Sequence, residues 1–374
     1  MQTSSTSSTN GWERKADMGE GESSAAFKTY AQTVKAEIDH ALAAYFEAFE
    51  RTENALPMAG ELAPAFEALK SLVLRGGKRL RGVLLAAAFE ASGGGDRAPI
   101  MPALVGFELL QAYLLIHDDW MDGDLVRRGG PTVHAALREV FGTAEGDAQA
   151  ILTGDLAQAL ALEAITACAV PAERIGRAAK AVSVLLRNVT LGQMLDVRGA
   201  VARYPERATG LDHVYERKTA SYTVTGPLEI GALLAGATDE RVARLGAVAR
   251  PLGILFQLRD DVLGVFGDPA VTGKSASSDL RQGKFTALVV EASAVDPTVA
   301  GDLAALREAP EDAVETLVTS LRARIVAAGA RERVEARIER LGAKTLTEIE
   351  AADLTPRGRE LLEGAAAVIG GRTK

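Results

Sequence analysis

What most restricts the fold of this chain is a helical period carried along almost its whole length. From Phe27 onward, apolar residues return every three or four positions, as at Val34, Ile38, Leu42 and Phe46. That spacing lays them along one stripe of an α-helix. The same pattern predicts helices over roughly 62–75, 79–92, 99–122, 131–141, 147–168, 172–200, 211–236, 239–266, 283–294, 312–328, 331–350 and 356–368. No stretch sustains the apolar–polar alternation of a half-buried strand, and no fixed repeat period appears. The breaks carry turn chemistry, as at Ser92-Gly93-Gly94-Gly95, Arg128-Gly129-Gly130-Pro131 and Gly267-Asp268-Pro269. Stretches 147–168 and 225–236 are apolar nearly all round and are expected inside a multi-layered body.

With 374 residues, 47% of them hydrophobic, the chain can bury a large core. Aromatics are only 5% while Ala, Leu, Glu and Arg recur, which favours helix because these side chains lose little entropy in one. The reading is all-α: one helical domain over 26–374 after a polar Ser/Thr/Gly-rich tail over 1–25.

The net charge of −8, with no long Lys/Arg block, argues against nucleic acid or an anionic membrane as a general partner. A small polyanionic substrate remains possible where positive charge or metal is concentrated locally. Cys168 is the only cysteine, so no intramolecular disulfide can form. His40, His117, His134 and His213 show no zinc-like spacing. No apolar run free of interrupting charges looks long enough to span a bilayer, and the N-terminal stretch lacks the hydrophobic segment of a secretory signal. The cytoplasm is the expected location.

Chemistry concentrates in two acidic places. His117-Asp118-Asp119-Trp120-Met121-Asp122-Gly123-Asp124 follows the apolar helix Val105–Ile116 and runs into Arg127-Arg128-Gly129. Asp118 and Asp122 sit four apart on one helical face, where like charges repel. A divalent cation turns that repulsion into a ligand pair, and Mg²⁺ suits oxygen ligands shared with substrate phosphates. The bland alternative is a solvated acidic helix end, which the helix dipole disfavours. Asp260-Asp261 closes a second long apolar helix; two such pairs suggest opposed metal sites across one cavity.

Cations come in small clusters. Gly76-Gly77-Lys78-Arg79-Leu80-Arg81 opens a helix, where free N–H groups and three cations favour an anion. Arg127-Arg128, Lys218-Thr219, Gly273-Lys274 and Gly283-Lys284 add donors. Each alone fits a solvated surface. Interleaved with the carboxylates, they fit a diphosphate held by metal on one side and Arg/Lys on the other. Gly267–Ser275 imitates a nucleotide phosphate loop, but has five residues between its glycines instead of four and follows a helix instead of a strand.

GGKRLR at 76–81, DDWMDGDLVRRGGPTVH at 118–134, GQMLD at 192–196, YERKTASYTVTGPLEIGALLAG at 215–236 and FQLRDDVLGVFGDPAVTGK at 256–274 resemble, in order, the motifs of the polyprenyl synthetase family. The resemblance covers roughly 60–310. It implies a helical bundle around a deep cavity, usually homodimeric, that extends allylic diphosphates (dimethylallyl, geranyl, farnesyl) with isopentenyl diphosphate. It also implies three Mg²⁺ ions, held by Asp118, Asp122 and Asp260, with Asp119 and Asp261 in support. Arg127, Lys218, Gln257, Lys274 and Lys284 match groups around the allylic diphosphate. Lys78, Arg81 and Arg128 match the isopentenyl diphosphate site. Two positions depart from the family pattern: Gln111 stands where a His is common, and Gly264 where many members have Asp.

By the same resemblance, ionisation of the allylic C–O bond is aided by dipoles of Lys218 and Thr219 and by Gln257, with burial excluding water. The growing tail is expected to run beside the helix bearing Asp118, with Tyr113, five residues earlier, and the deeper Phe107 setting its length. An aromatic residue at 113, with no insertion between Asp118 and Asp122, resembles makers of geranylgeranyl diphosphate; a farnesyl or longer-chain synthase is the alternative. A class I terpene cyclase shares such a fold, but its Asn/Asp-x-x-Ser-x-x-x-Glu motif is missing at the second acidic pair. A catalytically dead partner subunit typically loses an acidic motif, and both are present.

Overall fold

In helix α1 (Gly11–Glu53) the four-residue spacing does what it requires: Phe27, Val34, Ile38, Leu42 and Phe46 are all buried. The computed structural model describes residues 11–53, 59–199, 206–267, 277–306 and 309–371. Because α1 begins at Gly11, the expected tail through residue 25 is too long. The Ser23 carbonyl already packs against the last helix, 2.1 Å from where a Cβ on Gly364 would sit. Polar residues joined to a packed amphipathic helix continue it, since each adds one hydrogen bond. Residues 1–10 lie outside the described residues.

The next helices follow the periodicity closely: α2 (Ala59–Leu74), α3 (Leu80–Ala91), α4 (Met101–Asp122), α5 (Val133–Phe141), α6 (Thr143–Thr166) and α7 (Ala172–Gly199). The predicted helix over 211–236 is instead three pieces. α8 (Glu206–Val214) and α9 (Gly226–Ala235) are α-helical, while Tyr215–Thr225 between them is π-helical. Then come α10 (Asp239–Phe266), the single turn α11 (Ser278–Arg281), α12 (Ala287–Val295), α13 (Thr298–Leu306), α14 (Glu311–Ala327), α15 (Ala330–Ala351) and α16 (Pro356–Gly370). The nine residues of α13 are too few for the period to register. Among the described residues the only sheet is a hairpin, β1 (Val126–Arg127) with β2 (Gly130–Pro131).

α4 packs chiefly on α6, and α3 on α9, so the helices form layers with a continuous apolar core. Contrary to the sequence expectation, one helix, Ala98–Asp122, is long and apolar enough to cross a membrane by length and composition. Most of it is buried in this body. Its one charge before the acidic end, Glu108, is 5% exposed and accepts a hydrogen bond from Arg79 Nη1 at 2.8 Å. Arg79 also donates to Asp39 Oδ1 and to the Val73 carbonyl, each at 2.8 Å. Of the three cations in the Gly76–Arg81 segment, Arg79 therefore holds α1, α3 and α4 together instead of facing an anion.

Candidate active site

α4 terminates at Asp122, with Gly123 in the left-handed conformation (φ 70°) as its cap. One turn back, Asp118 Oδ1 accepts from Gln193 Nε2 at 3.0 Å and lies 3.4 Å from Lys218 Nζ. Lys284 Nζ stands 3.6 Å from Asp122 Oδ2. Burial and then the charge of Asp118 raise the Asp122 carboxyl, while Lys284 and Lys218 pull it back. Asp119 is 1% exposed and is ion-paired with Arg127, which also reaches Asp124 at 3.1 Å. Burial pushes Asp119 up to about 6, against the pull of Arg127.

Arg127 and Arg128 are fixed by the hairpin. Arg128 and Gly129 both have positive φ (52° and 72°), and Arg127 pairs with Gly130, which makes a two-residue type I′ turn. A non-glycine residue held there is strained, and such strain gathers at functional sites. Burial, then the charges of Arg79, Arg81 and Arg127, lower the Arg128 guanidinium, with Glu108 opposing. Arg81 donates to Thr223 Oγ1 at 2.9 Å and lies over the Tyr222 ring at 4.4 Å. Lys78 is exposed. Arg81 and Arg128 donate to neutral oxygens, the Thr223 hydroxyl and the Leu72 carbonyl, and a bound anion would add the charge-assisted bonds these contacts do not make.

The π-helical segment joins the two acidic ends. A Cβ on Gly192 of α7 would fall 2.4 Å from the Lys218 nitrogen, so only glycine lets the segment lie this close. The approach lets Asp196 take Lys218 Nζ at 2.7 Å while Gln193 reaches Asp118. At the segment's start, Tyr215 donates to the buried Asp261. Asp261 also accepts from Gln257 Nε2 at 2.7 Å and from the Ala287 N–H at 3.0 Å. Burial outweighs these three donors and pushes Asp261 up to about 7. Asp260, its neighbour on α10, is half-buried. Gln282 donates to Asp124 at 3.2 Å and Lys284 reaches Asp122, so the chain after α10 folds back onto the end of α4. Lys274 lies outside the described residues.

Beside Asp118 opens a cavity of about 610 Å³. Its polar wall holds Arg81, Gln111, Asp118, Lys218 and Thr219, and its apolar wall includes Tyr113, Leu114, Leu115, Val189 and Met194. Gln111, which stands where the family often has His, accepts from Tyr222 at 2.9 Å through its carbonyl oxygen. Tyr113 stacks edge-on against His117, ring centres 5.0 Å apart. Phe107 does not line this cavity: it is fully buried in the core. Six residues carry it about two-thirds of a turn round the helix from Tyr113, beyond whole turns. The sequence reading assigned no role to Gln193, Asp196, Tyr215 or Tyr222, although GQMLD and the segment from Tyr215 contain all four.

Among the described residues, no three His, Cys, Asp or Glu side chains gather closely enough to hold a metal ion unaided. Asp118 and Asp122 nevertheless offer hard oxygen donors one helical turn apart, with lysine ammoniums drawn to both. That donor set fits Mg²⁺ completing its shell with water and diphosphate oxygens.

An all-helical body with paired aspartates, a cationic patch and an apolar cavity is the chemistry of an enzyme that takes a diphosphate with an apolar tail. The polyprenyl synthetase family model matches residues 64–321. Geranylgeranyl diphosphate synthase of Methanosarcina mazei is 36% identical over 254 residues, 67% of this chain and 75% of that protein. Geranylfarnesyl diphosphate synthase of Aeropyrum pernix is 37% identical over 225 residues, 59% of this chain and 68% of that one. The structure is similar to geranylgeranyl pyrophosphate synthase of Corynebacterium glutamicum complexed with isoprenyl diphosphate and magnesium. That match has TM-score 0.79 and 31% identity, and covers 92% of this chain and 98% of that one. The chain belongs to the polyprenyl synthetase family and is a trans-prenyltransferase.

Proposed function

We propose that the chain condenses isopentenyl diphosphate with dimethylallyl, geranyl and farnesyl diphosphates to give geranylgeranyl diphosphate. The observation that carries this reading is the cavity beside Asp118, with Asp118, Lys218 and Arg81 among its lining together with apolar Leu114, Leu115, Val189 and the Tyr113 ring. Tyr113, five residues before Asp118, lies about 7.5 Å down the helix axis. The relatives include makers of different chain lengths, and the aromatic wall favours the twenty-carbon product.

Asp118, Asp122 and Asp260 would hold Mg²⁺, three ions with diphosphate bound, and the metal supplies positive charge to the leaving group. Lys218, Arg127, Lys284 and Lys274 grip the allylic diphosphate, and Asp119 and Asp261 keep their neighbours in place. Lys78, Arg81 and Arg128 seat the isopentenyl diphosphate. As the allylic C–O bond breaks, the Lys218 and Thr219 dipoles and Gln257 face the cation. A π-helix loosens the regular i→i−4 bonding of the carbonyls there, a device common at functional sites. The isopentenyl double bond attacks, and the proton on the adjacent carbon passes to the departed diphosphate. The apolar wall keeps water from the cation.

The chain is expected to act in the cytoplasm as a homodimer without nucleic acid or a membrane-spanning segment. Exposed Leu152 on α6 and Leu191 on α7 favour self-association. Purified protein incubated with Mg²⁺, isopentenyl diphosphate and labelled primers tests the reading. A twenty-carbon diphosphate is expected; cyclised hydrocarbon or no turnover overturns it, and another chain length overturns the product assignment.

A further inference from the structure

The last carbonyls of a helix have no partner in a further turn, and at the end of α2 arginines take three of them. Ser71 O accepts from Arg75 Nε at 3.0 Å, Leu72 O from Arg128 Nη1 at 3.3 Å, and Val73 O from Arg79 Nη2 at 2.8 Å. The helix dipole favours cations there. Arg75, just before the Gly76–Arg81 motif, does more than cap. Its Nη1 donates to the Arg127 carbonyl at 2.9 Å and its Nη2 to the Pro131 carbonyl at 2.8 Å. Those carbonyls lie on β1 and β2, on either side of the Arg128-Gly129 turn. One planar guanidinium thus ties both strands of the hairpin to α2. Gly130 leaves room for it: a Cβ there would fall 2.1 Å from Nη1 and 2.9 Å from Cζ of Arg75. The hairpin needs an outside hold, because strands of two residues are not stable alone and Arg128 is strained at φ 52°. Two other ties are the Arg127 side chain on Asp119 and Asp124 and the Arg128 side chain on Leu72 O. Both are guanidiniums that diphosphate would engage.

We propose that Arg75 is a positioning residue that clamps the hairpin backbone to α2, so that Arg127 and Arg128 keep their places when their own guanidiniums turn to diphosphate. The proposal rests on the function argued above. All three side-chain bonds of Arg75 go to backbone carbonyls, so it acts through the hairpin and not as a ligand of the substrate. What the clamp requires is three donor nitrogens in one plane, which charge alone does not supply.

Hydrogen exchange of the substrate-free protein and steady-state kinetics with Mg²⁺, farnesyl diphosphate and isopentenyl diphosphate test it together. Arg75→Lys keeps the charge but has one nitrogen in place of three, and Arg75→Gln lacks both charge and reach. Both should speed exchange of the hairpin amides about 10-fold, the weight of a net hydrogen bond, while α2 and α4 keep their protection. Both should raise KM for the two diphosphates and lower kcat/KM about 10- to 100-fold, as misplaced binding groups do. Gly130→Ala retains Arg75 but pushes its guanidinium off the two carbonyls, so it should act in the same direction. It should add nothing to Arg75→Gln, since both remove one contact. Wild-type kinetics in Arg75→Lys, lost activity without faster hairpin exchange, or additive losses in the double variant overturns the proposal. Exchange that rises throughout α2 and α4 also overturns it, since Arg75 would then serve the fold alone. A wild-type protein without turnover overturns the function argued above, and the proposal with it.

Discussion

Asp261 shows how strongly single side chains are worked here. It is fully buried, takes hydrogen bonds from Tyr215, Gln257 and the Ala287 N–H, and still sits at about 7 because burial dominates. Its folded value lies above the ordinary 3.8. Its contribution to stability is therefore complete below about pH 4 and is lost as pH rises through about 7. In metal-free protein, melting temperature should fall between pH 4.5 and 8 more steeply than in Asp261→Asn; equal slopes would contradict the assignment. At the other end of the site, Tyr113→Ala removes the aromatic from the cavity wall. Its product mixture should shift to chains longer than twenty carbons, and an unchanged mixture would remove Tyr113 from length control. Asp118 and Asp122 stood out because charge at an apolar helix end is a local pattern, whereas Lys218 was singled out by its place in a motif resembling the family's. Gln193 and Asp196 were not: each is a single polar residue whose partner lies at least 22 positions away, and no spacing rule reports that.

The contact between α7 and the π-helical segment matters most at the scale of elements. Any side chain at Gly192 meets backbone at Lys218 and Arg217, within 2.4 to 2.8 Å, and backbone cannot yield cheaply. Gly192→Ala should cost about 1–3 kcal/mol, as overpacking does. It should also lower turnover by displacing Lys218. Gly246, on α10 with nothing within 4 Å, makes the control. Gly246→Ala should leave turnover intact and raise stability by about 0.5–1 kcal/mol through helix propensity. Paired melts and initial rates separate the two; similar effects at both sites would refute the close-packing argument. The helices themselves were plain in the sequence, because a buried stripe repeats over several turns. The π-helical stretch was hidden, because widening the turn over eleven residues leaves apolar spacing within the tolerance of a helical pattern. The hairpin was read only as a turn, because two-residue strands carry no alternation.

Over the whole molecule, two helices far apart in sequence end at one place. α4 delivers Asp118 and Asp122, α10 delivers Asp260 and Asp261, and two segments reach both ends: Tyr215 bonds Asp261 while Lys218 lies by Asp118, and the Ala287 N–H bonds Asp261 while Lys284 faces Asp122. The order of motifs made this convergence foreseeable as a resemblance, but only the folded chain supplies the connecting groups. The most direct measurement is anomalous diffraction from crystals soaked in Mn²⁺ and inorganic pyrophosphate. Manganese peaks at both Asp118/Asp122 and Asp260, sharing one pyrophosphate between them, are the predicted result. Peaks on separate surfaces, or a pyrophosphate bound away from both helix ends, would contradict it.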